Sequence, residues 1–201
     1  MRDFDSWCIK GCSLEPNAWT PEINRLTSRP DLASESAIDA TSFPAPRQIL
    51  VLGIGNTLLG DEGIGVHAMR AIAKCCANIP KVRCVDGGTL SFSLAPEIEQ
   101  CSGLIVQDAA ELQAPAGEVR VFIGDAMDEF LGSNRKRSVH EVGLLDLMAI
   151  AALTGHLPVR RALIGIQPEF VGWRDGPSER VARSIPEACT RALDLIKSWP
   201  L

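Results

Sequence analysis

Ile49-Leu50-Val51-Leu52-Gly53-Ile54-Gly55-Asn56-Thr57-Leu58-Leu59-Gly60-Asp61-Glu62-Gly63 is the stretch that decides the fold. Ile49 to Ile54 is an apolar run of strand length without polar alternation, and residues 48–53 read as a strand buried on both faces. A glycine-rich turn follows, and 61–77 reads as a helix. Further along, the same alternation recurs. A second strand spans 82–86 and turns at Gly87-Gly88; a short helix spans 92–101 and a third strand 103–108. Residues 118–123 alternate polar and apolar, as an edge strand with one wet face does. A helix spans 141–153, with Ser138 three residues before Glu141 as a capping-box start. A buried strand spans 161–166, and a last helix 178–199 is kinked or broken at Pro186. Buried strands alternating with helices predict an α/β fold of three layers: a mostly parallel, twisted sheet with helices on both faces.

The whole chain has 201 residues, 46% of them apolar and 22% charged, as expected of one globular domain with a tail. The tail is 1–46. It holds five of the 13 prolines, one glycine, and seven acidic against four basic residues. It sustains no helical or strand period, so a disordered extension is expected there, ahead of a single domain at 47–201. A net charge of −5 offers no general attraction to nucleic acid or anionic lipid. With no tyrosine and 5% aromatic residues, stacking platforms for single strands are not expected either. No apolar run approaches the ~20 residues that span a bilayer, and no signal peptide is evident. The seven cysteines form no Cys-x-x-Cys pair, and Cys75 and Cys76 are adjacent. Most of them read as small core residues, in a cytosolic protein with reduced thiols.

The glycine-rich turn first suggests a nucleotide. The dinucleotide pattern needs glycine at 58, where the chain has Leu58. A P-loop would follow Gly60 with lysine, where the chain has Asp61 and then Glu62. Two carboxylates at a helix mouth repel phosphate. Asp61 reads as a partner of the helix dipole, and Glu62 as the acid that the turn exposes. Asp108 closes the third strand, at the sheet edge where open α/β folds place their sites. The chain has three histidines. His140 lies in the first turn of its helix, where the dipole keeps imidazole neutral and able to ligate. His67 reads as a helix-face residue and His156 as a solvent-side residue after Gly155. Two carboxylates and an imidazole suit a divalent transition metal, although separations of 46 and 32 residues bring nothing together without a fold. The basic run Arg135-Lys136-Arg137 adjoins His140 and is either a solvated loop or a docking site for acidic groups.

Residues 49–66 resemble the opening of the [NiFe]-hydrogenase maturation endopeptidases, which process the C terminus of the hydrogenase large subunit. The likeness continues through Asp86-Gly87-Gly88-Thr89, Leu104-Ile105-Val106-Gln107-Asp108-Ala109, Ser138-Val139-His140-Glu141-Val142-Gly143-Leu144 and Gly165-Ile166-Gln167-Pro168-Glu169. These blocks keep the family's order and spacing over about residues 48–198; residues 1–46 lie outside the pattern, and Gln107 stands where many relatives have a small residue. The resemblance implies a five-stranded sheet between helices and a peptidase that removes a C-terminal extension from the nickel-loaded large subunit precursor. It implies a metal-contacting trio of Glu62, Asp108 and His140, with nickel supplied by the substrate rather than held permanently. Asp108 is the candidate catalytic group, with Glu62 an alternative general base. A monomer in the cytoplasm is expected. Rival readings are a non-proteolytic assembly factor that binds the nickel site, a nucleotide-binding module, and a cysteine peptidase.

Overall fold

A computed structural model describes residues 48–89, 92–134 and 143–199. The expectations for 1–46, the basic run 135–137, the Ser138/Glu141 capping box and His140 lie outside these residues.

Five strands are found among the described residues: β1 (Ile49–Ile54), β2 (Val82–Gly88), β3 (Gly103–Ala109), β4 (Val119–Ile123) and β5 (Arg160–Ile166). They form one sheet in the order β2-β1-β3-β5-β4. β1 pairs in parallel with β2 and β3, and β3 with β5, whereas β4 pairs antiparallel with β5 at the edge. The alternation read at 118–123 is thus that of an edge strand.

The six α-helices among these residues are α1 (Ile64–Cys76), α2 (Ala95–Glu99), α3 (Asp125–Asn134), α4 (Leu144–Leu153), α5 (Glu179–Ala182) and α6 (Ile185–Ser198). Strand periodicity sends successive side chains to opposite faces. Leu50, Leu52, Ile54, Leu104, Val106 and Leu163 therefore meet Ile98 of α2, Met127 of α3 and Leu147 and Met148 of α4 in one core. On the other face α1 packs on β1, β3 and α6, closing over buried Ile49, Val51 and Ile105. Each fully buried leucine or isoleucine in these layers contributes roughly 1.5–3 kcal/mol.

Several elements differ from the sequence expectation. β2 runs on through Gly87 and Gly88, where a turn was expected, and the helix read at 92–101 is a 3-10 turn at Phe92–Leu94 followed by α2. The helix expected from 61 begins as a 3-10 turn at Asp61–Gly63 and becomes α-helical at Ile64. A Cβ on Gly63 would lie 2.6 Å from Thr57 Cα, so the turn is packed against its own loop before the helix can run. α3 was not expected. Its Gly132-Ser133 end and scattered acids weaken the pattern, but Arg161 of β5 holds it by donating from Nε to Asp128 at 3.0 Å, with Nη2 also paired to Asp128 and 3.4 Å from Asp125. The final helix is broken, as expected, but between Ala182 and Ile185 rather than at Pro186 itself. Ser178 caps α5, accepting from the Val181 N–H, and Pro186 lies in the first turn of α6, where its missing N–H costs nothing. The described start of α4 is capped by Gly143, whose N–H donates to Asp146 at 3.0 Å.

Candidate active site

The strand order creates one switch point. From β1 the chain steps to β2 on one side and then crosses to β3 on the other, so the connections leaving β1 and β3 diverge at their carboxyl ends. Ligands of open α/β sheets bind in such a crevice. The turn carrying Glu62 follows β1 and packs against β3, and Asp108 is the penultimate residue of β3. The structure thus brings both acids to the carboxyl end of the sheet.

Glycines make the turn possible. Gly55 has φ +128°, and a Cβ there would lie 2.0 Å from the Glu62 carbonyl oxygen. A Cβ on Gly65 would lie 2.1 Å from the carbonyl oxygen of Gln107 and 2.5 Å from that of Ile54. The glycines therefore seat the turn on the ends of β1 and β3. They do not open a phosphate cradle, because most of the loop's N–H donors already have acceptors in the protein. Gly55 N–H donates to Gly88 at 2.7 Å, Leu58 to the Asn56 side chain at 3.0 Å, Leu59 to the Asn56 carbonyl at 3.0 Å and Gly60 to Arg174 at 3.2 Å.

Glu62 is half-buried, and its Oε2 accepts the Asn56 N–H. Asp108 is half-buried opposite Gly165 of β5. Asp61 takes another path. It is fully buried and accepts from the backbone N–H groups of Glu169 (2.9 Å), Phe170 (2.8 Å) and Ser178 (2.5 Å) and from the Ser178 hydroxyl (3.0 Å). Burial pushes its pKa up, but these bonds from Ser178, Phe170 and Glu169 outweigh burial and hold the carboxyl below its ordinary value. Asp61 is thus an anchor for the 169–178 segment rather than simply a partner of the helix dipole. Sequence reasoning missed this role; the signal available was that the 165–169 block belonged to the resemblance while supplying no ligand.

His67 lies on α1 as expected, half-buried. Burial and the charge of Arg70 pull its pKa below the ordinary value, against the attraction of Asp175 and Asp86. Asp86, at the end of β2, pairs with Arg70 at 2.8 Å and accepts from the Gly88 N–H at 3.0 Å. His156 is exposed after Gly155. Of the described cysteines, Cys76, Cys101 and Cys189 are buried, as core residues should be, whereas Cys75 and Cys84 are half-buried. Burial pushes the Cys101 and Cys189 thiols up to about 12, which leaves them poor nucleophiles. No helix among the described residues is long and apolar enough to cross a membrane.

Known proteins share this fold. The profile of the hydrogenase maturation protease family matches residues 66–195. Hydrogenase expression/formation protein HoxM of Cupriavidus necator is 34% identical over 152 residues, 75% of each chain. HupD of Rhizobium leguminosarum bv. viciae is 38% identical over 157 residues, covering 78% of this chain and 77% of that one. Among solved structures, the hydrogenase maturating endopeptidase HybD from Escherichia coli superposes with a TM-score of 0.68 at 28% identity, over 75% of this chain and 92% of that one. The [NiFe] hydrogenase maturation protease HycI from Thermococcus kodakarensis gives 0.60 at 25% identity, over 75% and 93%. With its five-stranded, mostly parallel sheet and the turn that sets Glu62 beside β3, the chain belongs to the hydrogenase maturation protease family and is a peptidase.

Proposed function

We propose that this peptidase removes a C-terminal extension from the nickel-loaded large subunit precursor of a [NiFe] hydrogenase in the cytoplasm, acting as a monomer. The observation that carries the reading is the position of Glu62 and Asp108 at one switch point, Glu62 in the turn that follows β1 and Asp108 at the end of the adjacent β3. His140, assigned by resemblance, completes the trio. Two carboxylates and an imidazole leave positions open on a divalent ion. Nickel arriving on the substrate's own thiolates would use those positions, so the protease would select the loaded precursor. The ion belongs to the substrate and is not a resident cofactor of the peptidase. The Asn56 N–H holds the Glu62 carboxylate in place. Asp108 is then the group beside the reacting carbonyl, placed to take the proton of the attacking water and pass it to the leaving amine as the C–N bond breaks. The activity resides in residues 47–201, and residues 1–46 stand outside the catalytic unit.

The test is cleavage of purified precursor by purified protein, with and without nickel loading. Release of the C-terminal peptide from the loaded form alone is the expected result. Equal cleavage of the nickel-free precursor would contradict nickel recognition, and no cleavage of either would contradict the reading as a whole.

A further inference from the structure

Next to the Glu62 turn the protein leaves apolar side chains in water. Leu58 is 57% exposed, Phe170 47%, Val171 57% and Trp173 82%. They come from two segments that are tied together. Gly60 and Val171 form a bridge, as do Leu59 and Arg174; Gly172 N–H donates to Leu59 at 3.3 Å and Arg174 N–H to Leu58 at 3.1 Å. The loop is firmly held. Asp61 fixes the Phe170 backbone from below, and Asp61 N–H donates back to the Phe170 carbonyl at 3.1 Å. The Phe170 ring rests on glycine: a Cβ on Gly172 would come within 2.7 Å of its Cζ, and one on Gly60 within 3.4 Å of its Cδ1. A held loop that presents Trp and Phe to solvent loses little conformational entropy on binding, and such side chains dominate interface energies.

We propose that Leu58, Phe170, Val171 and Trp173 seat an apolar, extended segment of the protein substrate beside the bond to be cut. This inference rests on the proposed function and deepens it. The surface is continuous with the site, since Glu62 N–H donates to Leu59 at 3.4 Å within the same loop. An endopeptidase must hold chain on either side of the scissile bond, and this is the apolar surface adjoining the Glu62 turn. Its charges balance: Glu169 pairs with Arg180 at 3.7 Å, and Arg174 stands beside Asp175. Neither anionic lipid nor nucleic acid would be drawn to such a rim, whereas an apolar peptide would be.

Binding of the nickel-loaded precursor to immobilised protein is measured separately from its cleavage. Trp173→Ala and Phe170→Ala should each raise Kd about tenfold or more, with thermal midpoints near that of the wild type. Val159→Ser should leave Kd unchanged, because that exposed side chain precedes β5 at the opposite end of the sheet. Wild-type Kd values in both folded aromatic variants would overturn the assignment. So would a wild-type dimer in light scattering that Trp173→Ala dissociates, since a second copy would then be the occupant. Precursor that binds but is not cut would count against the proposed function while the Kd comparison still judged this surface; wild-type protein that does not bind would overturn both.

Discussion

Asp61 reaches across 117 residues of sequence to Ser178, accepting its backbone N–H at 2.5 Å and its hydroxyl at 3.0 Å. Its neighbour Glu62 turns to Asn56 instead. Two adjacent carboxylates in one turn thus divide their work, one holding the 169–178 segment from beneath and one lying at the mouth of the site.

That division predicts unequal stability losses for two mild substitutions. Asp61→Asn keeps the shape but aims an amide NH2 at buried donors, so it should lower stability by about 2–4 kcal/mol. Glu62→Gln, at a half-buried carboxylate, should cost about 1 kcal/mol or less. Paired denaturant melts of the two variants at neutral pH check this.

The same carboxyl makes an acid prediction. Its pKa is lower in the folded protein than the ~3.9 of an unfolded aspartate, so its contribution is complete above that value and is lost as pH falls through the folded one. The stability gap between wild type and Asp61→Asn should therefore be full at neutral pH and narrow as pH drops below about 4. Melts across that range read it directly, and a gap that stayed constant would contradict the anchoring role.

Gly55→Ala should be among the costliest single-atom-scale changes in the loop. The added Cβ would meet the Glu62 carbonyl at 2.0 Å, with φ at +128°. Relief requires moving the Glu62 turn, so processing should fall together with stability, by more than about 2 kcal/mol. Stability is read by chemical denaturation and processing by release of the C-terminal peptide. An alanine variant with unaltered stability and rate would show that the turn is not seated as described.

The strands were legible because each buried run carries its own signal. Residues 49–54 and 103–106 are apolar without interruption, and 118–123 alternates as an edge strand must. α3 was not legible, because Arg161, which locks Asp128 and Asp125, lies 33 and 36 residues further on. Pro186 marked the last helix correctly as broken, but the proline begins the second piece instead of ending the first. At the site, a glycine-rich turn and two acids were visible locally. The partition between Asp61 and Glu62 was not, because the partners of Asp61 lie 108 to 117 residues away. The aromatic loop at 170–173 carries no period or motif. Its place beside Glu62 comes from distant partners, the bridges to Leu59 and Gly60 and the bonds to Asp61.

The central claim is that Glu62, Asp108 and His140 contact the substrate's metal and that the peptide bond is cut there. The most direct measurement is processing of nickel-loaded precursor by Glu62→Gln, Asp108→Asn and His140→Ala, each with its thermal melt. Loss of processing by at least about a hundredfold is predicted for all three, with melts within the ~2 kcal/mol of a surface or cap change. Full processing by any of the three folded variants would contradict the assignment of that residue, and full processing by all three would contradict the claim.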